Sequence, residues 1–188
     1  ADPVFTVSYT GIEGALVIIT ADDPSMHSSQ NEQDNRNYAK FAKIPMLEPA
    51  DPQEAKEYIK LAFELSEKFD TPVFLRSTTR VSHSKSVVSL DEPLLPADKP
   101  SLATNAEKYV MVPINARTRR VEVEKRQQIL KEFVETFPEN KMELNSTEVG
   151  IITAGMPYNY AKDVFPDYSY LKLGMVYPLP ERMIREFA

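Results

Sequence analysis

The stretch "GALVIITADDPSMHSSQNEQDNR", residues 14–36, carries the strongest indications of both fold and functional site. Its first part, "ALVIIT" at 15–20, is an apolar run rich in β-branched side chains, which is typical of a parallel strand buried on both faces. The part that follows has one large apolar side chain, Met26, and no hydrophobic residue from Gln30 to Asn37. In a parallel sheet, a polar segment directly after a buried strand lies at the edge where ligands bind.

The sequence around this stretch predicts a parallel sheet with helical crossovers. We predict strands at 15–20, 44–49 and 73–79, with the last strand extending toward Leu90. Helices are predicted between them, at 29–43 and 52–70. Ser29 and Glu32 have the spacing of a capping box, and Asp51 before Pro52 places an N-cap residue ahead of a first-turn proline. This alternation indicates an α/β fold with right-handed crossovers.

A second α/β unit is predicted after a proline-rich linker at 91–106. The unit spans 107–188 and combines a long helix with a βαβ arrangement between 148–155 and 168–178. We expect the inner face of the long helix to consist of its apolar residues Val121, Ile129, Leu130, Phe133, Val134 and Phe137. The predicted fold class is therefore α/β, with two parallel-sheet domains at 1–90 and 107–188.

Composition excludes several classes of function. The net charge of −6 disfavours a nucleic-acid partner, because phosphate backbones are bound by clustered lysine and arginine. The chain contains no cysteine, so it cannot form disulfides or supply cysteine ligands to a metal cluster. It has no apolar run long enough to cross a membrane, and a cytoplasmic location is expected. The chain is also expected to be a fragment of a longer protein.

The polar segment has no recognisable metal or nucleophile motif. The spacing of its acidic residues and His27 matches no HExxH or EF-hand pattern, so no metal site is assigned. Ser28 lacks the flanking glycines of a nucleophile elbow, and His83 is interpreted as a surface residue. "GIITAG" before Met156 lacks the glycine spacing of a dinucleotide site. A solvated loop remains the simplest alternative for residues 22–36.

Three long strings resemble one family of enzymes. They are "ADDPSMHSSQNEQDNRNYAKFAKIPMLEPADPQEAKEYIKLAFELSEKFDTPVFLRSTTRVSHSKS", "KYVMVPINARTRRVEVEKR" and "VGIITAGMPYNYAKDVFPDYSYLKLGMVYPLPERMIREFA". Together they cover nearly the whole chain, and "DDPSMHSSQNEQD" is long and specific. The chain resembles the α subunits of indolepyruvate:ferredoxin oxidoreductases, which are thiamine-diphosphate enzymes of anaerobic archaea and bacteria within the 2-oxoacid:ferredoxin oxidoreductase superfamily.

The resemblance implies that residues 1–90 are the later part of a pyrimidine-type domain and that 107–188 begin a transketolase C-terminal-like domain. It further implies thiamine diphosphate, Mg²⁺ and [4Fe-4S] clusters in the full enzyme, and as partners a β subunit, ferredoxin, coenzyme A and an arylpyruvate within an oligomer. The family regions that bind the aminopyrimidine ring, the diphosphate with its magnesium, and the clusters lie outside this segment. No catalytic residue is therefore assigned, and this chain alone is expected to be inactive.

The part of the family pattern that lies in this chain is the polar segment. We predict that it faces the cofactor pocket or the neighbouring thiamine-binding domain through its polar side chains, which are His27, Ser28, Gln30, Glu32, Gln33, Asp34 and Arg36. Two alternatives stay open at this point. The enzyme could act on pyruvate or 2-oxoglutarate, or the chain could be a non-catalytic α/β module that binds a partner protein.

Overall fold

The computed structural model describes residues 2–92 and 104–188. Its first half contains helices α1 to α4 and strands β1 to β3, in the order α1 (Asp2–Thr10), β1 (Val17–Asp22), α2 (Arg36–Ala42), β2 (Met46–Leu47), α3 (Pro52–Phe69), β3 (Val73–Thr78) and α4 (Thr79–His83). β1 and β2 both pair with β3 in parallel. The α/β crossover pattern predicted for this half is confirmed.

The second half adds four helices and four strands within the described residues. They are α5 (Ala106–Tyr109), α6 (Pro113–Val134), β4 (Lys141–Glu143), β5 (Gly150–Ala154), α7 (Met156–Val164), β6 (Ser169–Leu173), β7 (Met175–Tyr177) and α8 (Glu181–Phe187). β5 and β6 pair in parallel around α7, as predicted, whereas β4 pairs antiparallel with β6. The fold is therefore mixed α/β, with sheets of order β1-β3-β2-β7 and β4-β6-β5.

The two halves are joined by one bent strand. β6 lies in the second sheet, and after Gly174 the chain continues as β7, which pairs antiparallel with β2 of the first sheet. The side chain of Asn140 fixes this bend, because its oxygen accepts the N–H of Gly174 at 2.9 Å and of Met175 at 3.1 Å. Asn140 is itself buried and donates to the carbonyl of Val134.

The main core is built from both halves. Residues of α3 and the first sheet, such as Tyr58 and Val73, form one buried cluster with Leu130 and Val134 of α6. α7 is held near the first sheet by a partly buried hydrogen bond, in which Asn159 donates to the carbonyl of Ala50 at 2.9 Å. The predicted linker at 91–106 lies mostly outside the described residues, and the assignment of the halves to two family domain types stays a prediction.

Several sequence-based expectations for single elements were wrong. β1 is not buried on both faces, since Ile19 is 65% exposed, and within the described residues β1 is an edge strand that pairs only with β3. The third strand does not extend toward Leu90, since the chain turns into α4 at Thr79. On α6, Leu130 and Val134 are buried as predicted, but Val121 and Ile129 are exposed, while Arg126 and Gln127 are buried.

The inner face of α6 contains a buried arginine beside its apolar residues for a specific reason. Arg126 donates to the carbonyl of Ser8 and, at 2.7 Å, to that of Asp70. Arg119 donates to the carbonyls of Tyr9 and Thr10. These guanidinium groups supply hydrogen bonds and positive charge at the carboxyl end of α1, where helix carbonyls lack partners. Within the described residues, no helix is both long and apolar enough to cross a bilayer.

Candidate functional site

The polar segment is held at its start by Asp23, which directly follows β1. One carboxylate oxygen of Asp23 accepts the N–H of Ser28 and of Ser29, each at 2.7 Å. The other oxygen accepts the N–H of His27 at 3.0 Å and the hydroxyl of Thr79 at 2.7 Å. The hydrogen bonds from the Ser28 amide and the Thr79 hydroxyl, with those of the other two amides, hold the pKa of Asp23 well below its usual range. The segment is therefore organised rather than a free loop.

Asp22 fixes the other end of the segment and also ties together three strands. It accepts the N–H and the side-chain amide of Asn35, the residue before α2. Asp22 also accepts a hydrogen bond from Nε of Arg76 at 2.5 Å, and Nη1 of Arg76 donates to Glu48 at 2.6 Å. The side chains of Asp22, Glu48 and Arg76 are all at least nine-tenths buried. Since Asp22 ends β1, Glu48 follows β2 and Arg76 lies in β3, this ion network joins the carboxyl ends of the three parallel strands.

These contacts explain why the predicted helix at 29–43 begins late. The capping-box pattern at Ser29 and Glu32 predicted a start near Ser29, but α2 starts at Arg36. The amide of Ser29 is bound by Asp23 and that of Asn35 by Asp22, so both carboxylates draw this backbone out of a helical path. The expectation of a helix over 29–35 was therefore wrong.

The seven predicted contact residues lie on the outer side of this organised segment. His27, Ser28, Gln30, Glu32 and Arg36 are exposed, and Gln33 and Asp34 are half-buried. Asp34 forms a two-point ion pair with Arg36, at 2.9 and 2.8 Å. This hydrogen-bonded pair lowers the pKa of Asp34 and raises that of Arg36. Their contact with a cofactor or a neighbouring domain stays a prediction.

A cavity of about 560 Å³ lies beside the segment, between the two halves of the chain. One side is formed by His27 and Arg36 of the segment and by Arg76 at the carboxyl end of β3. The opposite side comes from β5 and the start of α7, including Ile152 and Tyr160. The cavity therefore lies at the carboxyl ends of parallel strands, where open α/β sheets bind ligands.

A second cavity of about 600 Å³ adjoins the first. The two cavities share His27, Arg80, Met156 and Tyr160 as lining residues, and the second adds His83. His83 is exposed, as the sequence predicted. The described residues contain no group of three or more His, Cys, Asp and Glu side chains placed to hold a metal ion.

Three important residues of this site were not identified from the sequence. Arg76 and Glu48 occur in the strand segments "VFLRSTT" and "MLEP", where a charged residue inside an apolar run signals a buried ion pair. The sequence therefore did contain an indication that Arg76 and Glu48 are buried and paired. Arg80 has no comparable signal, because its position depends on the turn from β3 into α4.

Replacing Asp23 with alanine is expected to release the start of the segment without unfolding the sheet. The amides of Ser28 and Ser29 would lose their acceptor, and their hydrogen exchange should accelerate about tenfold or more. Because native contacts lower the pKa of Asp23, its stabilisation is complete above the ordinary aspartate range, about pH 4, and is lost as the pH falls below it. Asp34→Ala is the matched control, since it removes a carboxylate that these amides do not use. Equal exchange rates in both variants would contradict the prediction.

The comparisons with known proteins match the whole chain to one kind of subunit. No protein-family model matches the chain. Proteins described as indolepyruvate oxidoreductase subunit IorA are similar to it: that of Methanothermobacter marburgensis is 44% identical over 193 residues, covering 100% of this chain and 31% of the relative. The Archaeoglobus fulgidus protein is 42% identical over 192 residues, which cover 100% of this chain and 31% of the relative. The Pyrococcus horikoshii protein is 42% identical over 199 residues, which cover 99% of this chain and 30% of the relative. The chain thus spans about a third of the length of these curated relatives.

Proposed function

Because this chain is related over its whole length to the IorA subunit of indolepyruvate oxidoreductases, we propose that it is part of such a subunit and that the complete enzyme oxidatively decarboxylates arylpyruvates. In the proposed reaction the arylpyruvate loses CO₂, its electrons pass singly to ferredoxin, and the acyl group is transferred to coenzyme A. A second subunit completes the complex. The identities of 39–44% along the entire chain are the observation that carries the proposal.

The cofactors of this reaction are assigned mainly to other parts of the complete enzyme. The chain has no cysteine, so its residues do not fit the ligand set of an iron–sulfur cluster. Thiamine diphosphate supplies carbanion stabilisation when it is bound, and the protein supplies position and electrostatics. The acidic residues of the described part do not form a metal-binding group that would suit Mg²⁺. We therefore derive no cofactor ligand from this chain.

The role that we assign to this chain is to present a preorganised polar surface. Asp22 and Asp23 hold both ends of the segment 22–36 through backbone amides, which leaves the side chains between them free to contact a neighbour. A surface whose backbone is already fixed loses less conformational entropy on binding. We propose that the neighbour is the thiamine-carrying domain of the complete enzyme.

The first experiment is an assay of the complete complex, produced from both full-length subunits. We expect CoA- and ferredoxin-dependent oxidation of indolepyruvate to exceed that of pyruvate and 2-oxoglutarate. A preference for either small oxoacid would replace the proposed substrate class. A complex with no 2-oxoacid oxidation at all would favour a non-catalytic α/β module that binds a partner protein.

Replacing Glu32 with alanine in that complex tests the role of the polar surface. Glu32 is exposed and makes no hydrogen bond within the described residues, so its loss should leave folding unchanged. We expect activity or subunit association to fall by about fivefold or more, the effect of losing one charged contact at an interface. Glu64→Ala, an exposed glutamate on α3, is the control and should behave as the parent enzyme. Identical turnover and association in both variants would contradict the assignment.

A further inference from the structure

The cavity of about 560 Å³ has two chemically different sides. On the side of the second half, its wall is mainly apolar and includes Ile152, Met156, Pro157 and Tyr160. Ile152 is 43% exposed and Tyr160 is 53% exposed, so this wall is available to a ligand. The volume falls within the range of about 300–1,000 Å³ that is typical of small-molecule pockets.

The opposite side of the cavity carries Arg36, Arg76 and Arg80, of which Arg80 has no ion-pair partner among the described residues. Arg76 is engaged by Asp22 and Glu48, and Arg36 is paired with Asp34. Arg80 forms no ion pair and no side-chain hydrogen bond with any residue of the described part of the chain. The carboxylate that lines the cavity, Glu48, is already bound by Arg76. Since the carboxylates beside the cavity are bound by Arg36 and Arg76, Arg80 is the arginine that, within the described residues, is left to bind an anionic ligand.

Two buried oxygens at the cavity show that its polar side is incomplete. Oε2 of Glu48 and Oγ1 of Thr78 have no hydrogen-bond partner within the described residues, and both side chains line the cavity. Glu48 is 3% exposed and Thr78 is 6% exposed. Buried polar atoms in folded proteins are nearly always hydrogen-bonded. Oε2 of Glu48 can only accept, so it requires a hydrogen-bond donor such as a water molecule, which a ligand carboxylate does not itself supply.

We propose that this cavity binds the aromatic 2-oxo acid, with its carboxylate on Arg80 and its ring against the wall formed by Met156 and Tyr160. The assignment rests on the proposed function and adds residues of the second half to the substrate site. A guanidinium binds a carboxylate through charge-assisted hydrogen bonds, and an aromatic ring packs well on apolar and aromatic side chains. The second half thereby selects for a large aromatic substrate over a small one.

The test uses the complete two-subunit enzyme with its cofactors and measures two quantities. The first is the KM and kcat for indolepyruvate. The second is the equilibrium binding of indole-3-acetate, an aromatic carboxylate that lacks the keto group, followed by calorimetry. Tyr160→Ala and Arg80→Gln should each raise KM and weaken binding of this probe by about tenfold, with a smaller effect on kcat. Tyr160→Phe should leave KM and probe binding close to those of the parent enzyme, because it keeps the aromatic ring.

Val164→Ala is the matched control on the same helix. Val164 is exposed and lies outside the cavity, so neither quantity should change. If the parent enzyme oxidises indolepyruvate but Tyr160→Ala and Arg80→Gln behave as Val164→Ala, the cavity assignment is overturned while the proposed function stands. If the parent enzyme oxidises no arylpyruvate, the proposed function itself fails. Since both replaced side chains are exposed, loss of folding would not explain a reduced affinity.

Discussion

Replacing Arg76 with methionine is expected to lower the free energy of unfolding by about 3–5 kcal/mol, the usual effect of removing one partner from a buried ion network. Arg76 is 4% exposed and lies between the carboxylates of Asp22 and Glu48. Without the guanidinium, two buried negative charges would remain close together at the carboxyl ends of the strands. Unfolding in urea, followed by circular dichroism, measures the change.

The control for this prediction neutralises the partners as well. The triple variant Arg76→Met, Asp22→Asn and Glu48→Gln leaves no buried charge in the network. Replacing a whole buried ion group by uncharged residues is often close to neutral, so the triple variant should recover much of the lost stability. If the triple variant is as unstable as Arg76→Met alone, the loss comes from packing and the electrostatic explanation is wrong.

The sequence was sufficient to predict the order of strands and helices from β1 to β3. The order of strands and helices followed from apolar runs and from helix-start signals such as Asp51 before Pro52, whose side chain does accept the N–H of Glu54. These signals are local, and they are strongest where hydrophobic periodicity and capping agree. The late start of α2 was missed because Asp22 and Asp23 compete for the backbone from outside the predicted helix.

The candidate site was only partly predictable for a related reason. The polar segment stands out in the sequence because it lacks hydrophobic residues, and its position at the carboxyl end of β1 follows from the fold class. Its contacts with Arg76 and Thr79 join residues more than fifty positions apart, which no local pattern reveals. The same holds for Tyr160, whose place in the cavity depends on how α7 packs near the first sheet.

The buried face of α6, which is partly polar, illustrates the limit of hydrophobic periodicity. The apolar residues Val121 and Ile129 indicated one face, but the buried face includes Arg126. Its guanidinium donates to the carbonyl of Ser8, near the end of α1, and to the carbonyl of Asp70. A side chain that satisfies helix-end carbonyls can thus orient a helix against the preference of its apolar residues.

Replacing Gly155 with alanine is expected to cost at least about 3 kcal/mol of stability, because backbone strain and a steric clash add together. Gly155 has φ +58° and ψ −151°, a conformation that side chains with a Cβ strongly disfavour. An added Cβ would also lie 2.5 Å from Oε1 of Glu48. Glu48 cannot move away easily, since its carboxylate is bound by the buried Arg76. The substitution should therefore disturb both the start of α7 and the ion network.

Gly14→Ala is the control for the effect of a positive φ without a steric clash. Gly14 also has a positive φ of +80°, but an added Cβ there would meet no atom within 4 Å. The free energy of unfolding of this variant should fall only by the cost of a side chain at a positive φ, about 1–2 kcal/mol. Urea unfolding of both variants gives the difference, which contains the clash at Glu48 and the additional strain of the ψ −151° conformation at Gly155. If the free energy of unfolding falls no further in Gly155→Ala than in Gly14→Ala, then Glu48 is free to shift. The strand ends at the cavity would then be less rigid than the ion network requires.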